Sequence, residues 1–146
     1  MKRRELLATA ALLALVRPAA ATPEKMASAI AAYTGNRLPQ AGRVTFEIAQ
    51  LIDNGNAVPV TIRVDSPLTP ADHVTGIAIF NERNPETDVV KFTLGPRAGK
   101  AEVATRIRLA TSQKLAAVAL MSDGTCWQRT VDVIVTLAAC IEGEVM

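Results

Sequence analysis

Histidine occurs once among the 146 residues and cysteine only twice, and that scarcity removes most catalytic chemistry at the outset. Zinc and copper sites draw three or four ligands from side chains such as His and Cys. The one histidine, His73, stands in the bend Pro70-Ala71-Asp72-His73 with only Asp72 beside it. A Ser-His-Asp triad meets the same shortage, and Ser122-Asp123-Gly124 reads as a turn. The glycines are scattered at turns, so no phosphate-cradling loop exists. There is no Cys-x-x-Cys, which argues against a dithiol oxidoreductase acting alone. The sequence makes a poor enzyme by itself.

Long hydrophobic runs are missing too. The longest, residues 6–16, is broken only by Thr9 and is about half of the ~20 residues that a membrane-spanning helix needs. Lys2, Arg3 and Arg4 precede it, Arg17-Pro18 ends it, and Ala19-Ala20-Ala21 offers small residues for cleavage. Residues 1–21 therefore read as an export signal. Arg3-Arg4 before Glu5-Leu6-Leu7 resembles a twin-arginine signal, the general secretory type being the alternative; a twin-arginine signal would imply delivery of an already folded protein to a bacterial periplasm. The chain has 16 basic and 14 acidic side chains. The leader holds Lys2, Arg3, Arg4 and Arg17 against Glu5, which leaves 12 and 13 and a net charge of −1. No electrostatic case for nucleic acid or a membrane surface survives that subtraction. About 125 residues remain, enough for one domain with one core.

Thr22-Pro23-Glu24 is a helix start: a capping hydroxyl, proline at the first position and an acid in the first turn. Met26, Ile30 and Tyr33 follow at helical spacing and Gly35 ends the run. The segment 22–42 reads as a short helix and linker, with the helix covering an edge or end of the domain. From Arg43 the period becomes two. Val44, Phe46 and Ile48 alternate with polar residues, Asp53-Asn54-Gly55-Asn56 turns the chain, and Val58, Val60, Ile62 and Val64 alternate again. Pro59 has no N–H to donate, which suggests an edge strand or a strand start. Further strands are read over residues 74–80, 89–94, 102–110, 115–121 and 125–137. The stretch 115–121 is apolar on both faces, as in a central strand. In the last strand Trp127, Val131, Val133, Val135 and Leu137 share a face, and Cys126 falls on the other with Gln128 and Thr130. Seven short strands with turns between them predict an all-β domain over 43–137, an antiparallel β-sandwich of immunoglobulin-like type. A small barrel is the alternative.

The two cysteines then stand out. Exported cysteines commonly pair, but a continuous last strand separates Cys126 from Leu137 by ~36 Å at ~3.3 Å per residue. A disulfide needs the two Cα atoms within about 7 Å, and Cys140 is only three residues beyond Leu137. Cys140, in the last stretch 138–146 and up to ~10 Å past the domain, thus reads either as a thiol that another molecule can reach or as an incidental surface thiol. Whether Cys126 is partly exposed beside its turn or covered by another chain is left open.

With those residues in view, the chain resembles SoxY, the sulfur-carrier subunit of the bacterial thiosulfate-oxidising (Sox) system. The resemblance spans nearly the whole exported part. It rests on Asn54-Gly55-Asn56-Ala57-Val58-Pro59-Val60, Ser66-Pro67-Leu68-Thr69, Phe80-Asn81-Glu82-Arg83-Asn84-Pro85, Ala104-Thr105-Arg106-Ile107-Arg108-Leu109-Ala110 and Ala119-Leu120-Met121-Ser122-Asp123-Gly124. It implies an immunoglobulin-like sandwich paired with a second sandwich, SoxZ. It also implies a flexible swinging arm whose cysteine, here Cys140, carries sulfur covalently between periplasmic sulfur-oxidising or redox enzymes. No cofactor beyond that covalent sulfur adduct is implied. The usual arm of the family is Gly-Gly-Cys-Gly-Gly, whereas this one is Ala138-Ala139-Cys140-Ile141-Glu142 with four residues after it, which marks a divergent branch. Ile141 is stiff where glycine is permissive. Glu142, Glu144 and the terminal carboxylate put negative charge near the thiol, which raises its pKa and lowers its thiolate fraction.

The reading is a periplasmic covalent carrier without catalysis of its own. The alternative is a binding or assembly subunit of a periplasmic redox complex, with the arm as a docking peptide anchored by Ile141, Val145 and Met146.

Overall fold

The computed structural model describes residues 20–137. The expected export signal (1–21) lies outside the described residues up to residue 19, and the expected arm (138–146) lies outside them throughout.

Among the described residues one helix, α1 (Pro23–Thr34), precedes nine strands. Thr22 caps it: its hydroxyl accepts a hydrogen bond from Lys25 N at 3.1 Å. Gly35 ends it in the left-handed region at φ 64°, donating to Ala32 O. Start and stop fall where Thr22-Pro23 and Gly35 put them. The strands are β1 (Gln40–Ala41), β2 (Val44–Glu47), β3 (Leu51–Ile52), β4 (Val58–Val64), β5 (Val74–Asn81), β6 (Asp88–Thr93), β7 (Glu102–Ile107), β8 (Gln113–Met121) and β9 (Cys126–Val135). They form two sheets. One runs β1-β9-β8-β5-β6, with β3 also on β9, and the other runs β2-β4-β7. This is the expected sandwich with one short helix.

Between the sheets lies a core of alternate side chains. Ile77 and Ile79 come from β5, Leu115, Ala117 and Ala119 from β8, and Val60 and Ile62 from β4, with Phe46 and Leu109 among them. The other face of β5 and β8 is also apolar, because α1 covers it. Met26 packs with Ala78, Phe80, Ala116 and Val118, flanked by Ala29, Ile30 and Tyr33. That double burial explains the two-faced apolar run of β8. It also corrects the expected role of the helix, which covers a sheet face and not an edge or end. Tyr33 approaches the sheet where β5 carries Gly76, and a Cβ there would stand 2.6 Å from the tyrosine hydroxyl.

Three further expectations change, one of them in part. Seven antiparallel strands become nine, because two-residue β1 and β3 pair parallel to β9, with Gln40 opposite Trp127 and Leu51 opposite Ile134. Neither piece is long enough to show a period. The chain leaves the first sheet after β1 through Gly42 (φ 114°) and Arg43 (φ 58°), runs in the second sheet as β2, and returns as β3. Pro59 is the second residue of β4, so the strand-start reading holds, while the edge-strand reading does not, because β4 is the central strand of the smaller sheet. It is tolerated because β2 flanks only residues 61–64, while Pro59 faces Arg106 of β7 on its other side. The last strand stops at Val135, and Leu137, expected in the core, is 60% exposed.

Candidate functional site

Strand β9 positions everything that the two cysteines can do. Its register with β8 is unbroken from Cys126 opposite Leu120 to Val133 opposite Gln113. One end of β9 therefore carries Cys126 and the other carries the root of the arm.

At the Cys126 end the thiol is free and 1% exposed. Alternation puts it on the helix side, opposite Trp127, which packs on the inter-sheet core. Burial pushes the thiol pKa up. Arg37 pulls it partly back, and Asp123 adds to the rise. A buried thiol kept protonated is a poor nucleophile and a poor metal ligand. The open question about Cys126 is thus settled within one chain: its own domain buries it. The adjacent turn is fixed by Asp123, whose carboxylate accepts from Thr125 N at 2.8 Å and Thr125 Oγ1 at 2.6 Å. Those bonds hold the Asp123 carboxyl below its ordinary range.

At the other end the backbone is held from both sides. Ile134 N donates to Gln50 O (2.8 Å), Thr136 N to Ile52 O (2.9 Å), and Gly55 N to Leu137 O (2.8 Å). Thr136 Oγ1 adds bonds to Ile52 O and Asp53 O, each at 3.2 Å. Across the strand, Val135 N donates to Ser112 Oγ at 2.8 Å. The chain is therefore fixed up to Leu137. Cys140, Ala138, Ala139, Ile141 and Glu142 follow it, outside the described residues. Three residues cover at most ~11 Å, while Leu137 is ~36 Å along β9 from Cys126 at ~3.3 Å per residue. Cys140 cannot reach Cys126 by that span.

Sequence reasoning missed Gln50, Ile52, Gly55 and Ser112 as the collar of the arm. The one visible signal was the turn Asp53-Asn54-Gly55-Asn56, in which Asn54 Oδ1 accepts from Asn56 N at 2.9 Å. The other stretches that suggested a family are structural as well. Asn81 Oδ1 accepts from Arg83 N and Asn84 N. Asn84 Oδ1 accepts from Ala110 N and Gln113 Nε2. Ser66 Oγ accepts from Leu68 N at 3.2 Å. His73 Nδ1 lies 3.0 Å from Thr69 O, which makes it a turn residue. No group of three or more His, Cys, Asp or Glu that could hold a metal occurs among the described residues. The Arg63 guanidinium sits between Glu47 and Glu102, and these pairs push its pKa up.

The pattern of the family described as "Sulfur oxidation protein SoxY" matches residues 30–140. No curated protein matches the chain. Among solved structures, a superoxide reductase (neelaredoxin) from Ignicoccus hospitalis is similar with a TM-score of 0.57 and 15% identity, over 79% of this chain and 94% of that one. A superoxide reductase from Nanoarchaeum equitans is similar with a TM-score of 0.55 and 15% identity, over 66% and 100%. A putative superoxide reductase from Thermotoga maritima has a TM-score of 0.57 and 14% identity, over 66% and 93%. At such identities the likeness shows the fold alone.

Proposed function

Because the chain belongs to the SoxY family, whose members are carrier subunits of sulfur oxidation, we propose that it holds its cargo as a covalent adduct on Cys140. The carrier works in the periplasm, beside a SoxZ-like sandwich subunit. The observation that carries this reading is the fixed root at Leu137, three residues before a cysteine, in a domain whose other cysteine is buried. A rigid base with a short lead lets a thiol enter another protein's active site while the domain stays outside.

Joining the Cys140 thiol to a cargo thiol as S–S releases two electrons and two protons. Loading by that route therefore needs a periplasmic redox enzyme as electron acceptor. Loading by exchange with a disulfide or polysulfide needs none, since the leaving thiolate takes the electron pair. Glu142 and Glu144 disfavour the thiolate in the free arm, so the partner's site must supply the positive charge that activates it. The replacement of flanking glycines by Ala139 and Ile141 narrows the shapes the arm can adopt, and with them the set of enzymes it can enter.

Intact-mass spectrometry of the protein purified from its host tests the reading. Mass additions that map to Cys140 and change with the sulfur supply are expected. A bare Cys140 under every sulfur supply, together with normal growth of a Cys140→Ser strain, overturns it.

A further inference from the structure

Strand β7 ends the small sheet on one side, and its outer edge is open. Its register with β4 is unbroken from Glu102 opposite Arg63 to Ile107 opposite Val58. Val64 N donates to Ala101 O at 2.9 Å, which fixes the phase of the ladder. Hydrogen-bonded positions alternate along an antiparallel pair, so Val103, Thr105 and Ile107 bond to β4. Glu102, Ala104 and Arg106 turn their N–H and C=O groups away from it. No described residue bonds to the outward groups of Ala104 and Arg106. A groove of about 400 Å³, with Val89, Val90 and Ile107 in its lining, separates this edge from β6 of the large sheet. The other edge strands are short or defended. β1, β2 and β3 have two to four residues each. β6 has an irregular register against β5 at Ile79 and Phe80 and carries Lys91, and a bulge and a lysine both blunt an edge. The six residues of β7 include no bulge, proline or lysine.

We infer that β7 pairs with β7 of a second copy of this chain, antiparallel about a two-fold axis at Ala104. That axis sets Ala104 opposite its own copy, Glu102 opposite Arg106 and Val103 opposite Thr105. The facing hydrogen-bonded pairs are then the three residues whose backbone groups point outward. The charges are complementary in the same register, since Glu102 of each copy meets Arg106 of the other. Arg106 has no ion-pair partner of its own among the described residues. Glu102 is already steadied from the other side, with its Oε2 2.7 Å from Arg63 Nε. The row Glu47, Arg63, Glu102 thus continues with a cation across the new seam. Ala104 at the axis leaves the two strands free to close to the ordinary ladder spacing of ~4.8 Å. Moving the axis to Thr105 would face Glu102 with Arg108, whose carbonyl already accepts from Asn84 Nδ2 at 2.8 Å. The two small sheets merge into one continuous sheet. The pairing does not depend on what Cys140 carries.

Sedimentation equilibrium of the purified protein, with a reductant present to keep Cys140 from pairing, tests the inference. A monomer-dimer equilibrium is expected. Glu102→Lys and Arg106→Glu each set like charges in opposition at both ends of the seam, and each is expected to weaken the dimer about tenfold. An equimolar mixture of the two variants restores opposite charges at every facing position. It is expected to pair about as tightly as the unaltered protein, which variants with a damaged fold would not do. A monomer at every concentration overturns the proposal. So does a dimer indifferent to both variants, or a mixture no tighter than its components, since either places the contact elsewhere. Purification in complex with a different subunit that Arg106→Glu releases overturns it in favour of that subunit on the edge. Loading of Cys140 measured by mass spectrometry reports separately on the carrier reading.

Discussion

Tyr33 shows how one residue is tuned by its place. It is the sole tyrosine. Its ring lies 5.6 Å from that of Phe80, and Lys91 Nζ stands 5.8 Å from its centroid. Burial first, and the nearby Cys126 second, push its pKa up from 10 to about 12. The folded state thus prefers the neutral phenol. The stability tied to that preference is whole below pH 10, drains away as pH rises toward 12, and is absent above. Absorbance titration of the native protein should place tyrosinate formation near 12, against 10 in urea, and Tyr33→Phe should flatten the alkaline loss of stability between those values. The sequence told which face of β9 Cys126 occupies, since alternation is local. It could not tell that Cys126 was covered, because its neighbours there, Tyr33 and Arg37 among them, are far away along the chain. Pro59 teaches the same lesson: its missing donor was legible, but the short reach of β2 that makes it harmless was not.

Among the elements, α1 was the most legible because Thr22, Pro23 and Gly35 are local chemical signals. Strands β4, β5 and β8 were legible because they alternate or run apolar over seven or more residues. β1 and β3 were illegible because only pairing with β9 makes them strands. The collar of the arm was illegible for the same reason, since Gln50, Ile52, Gly55 and Ser112 meet the end of β9 and the residues after it only in three dimensions. That collar makes a prediction at its own scale. Thr136→Val keeps the shape but removes the hydroxyl that reaches Ile52 O and Asp53 O, and should cost about 1 kcal/mol. The expected sign is local: amide exchange at Gly55 and Thr136 quickens by about fivefold, while amides in the centre of β8 keep their protection.

For the whole molecule, the sandwich followed from seven periodic segments, but the order of strands in each sheet did not, because register is set by long-range packing. Three layers result: the small sheet, the large sheet and the helix. The third layer is what keeps the outer face of β5 and β8 dry. Met26→Asp would set an unpaired carboxylate against Ala78, Phe80, Ala116 and Val118. It should lower the unfolding free energy by about 2–4 kcal/mol, with new binding of a hydrophobic dye as the helix lifts, measured in a urea titration. The layering also bears on how the molecule is handled. On the carrier reading proposed above, an enzyme that gripped Cys140 would pull the chain along the axis of β9. The bonds from β9 to β8, and those to the pieces at Gln40–Ala41 and Leu51–Ile52, lie across that line of force. They bear the load in shear and must rupture together, whereas a hairpin gripped at its open end would unzip one rung at a time. A carrier handed on in that way would be toughest in the direction in which it is tugged.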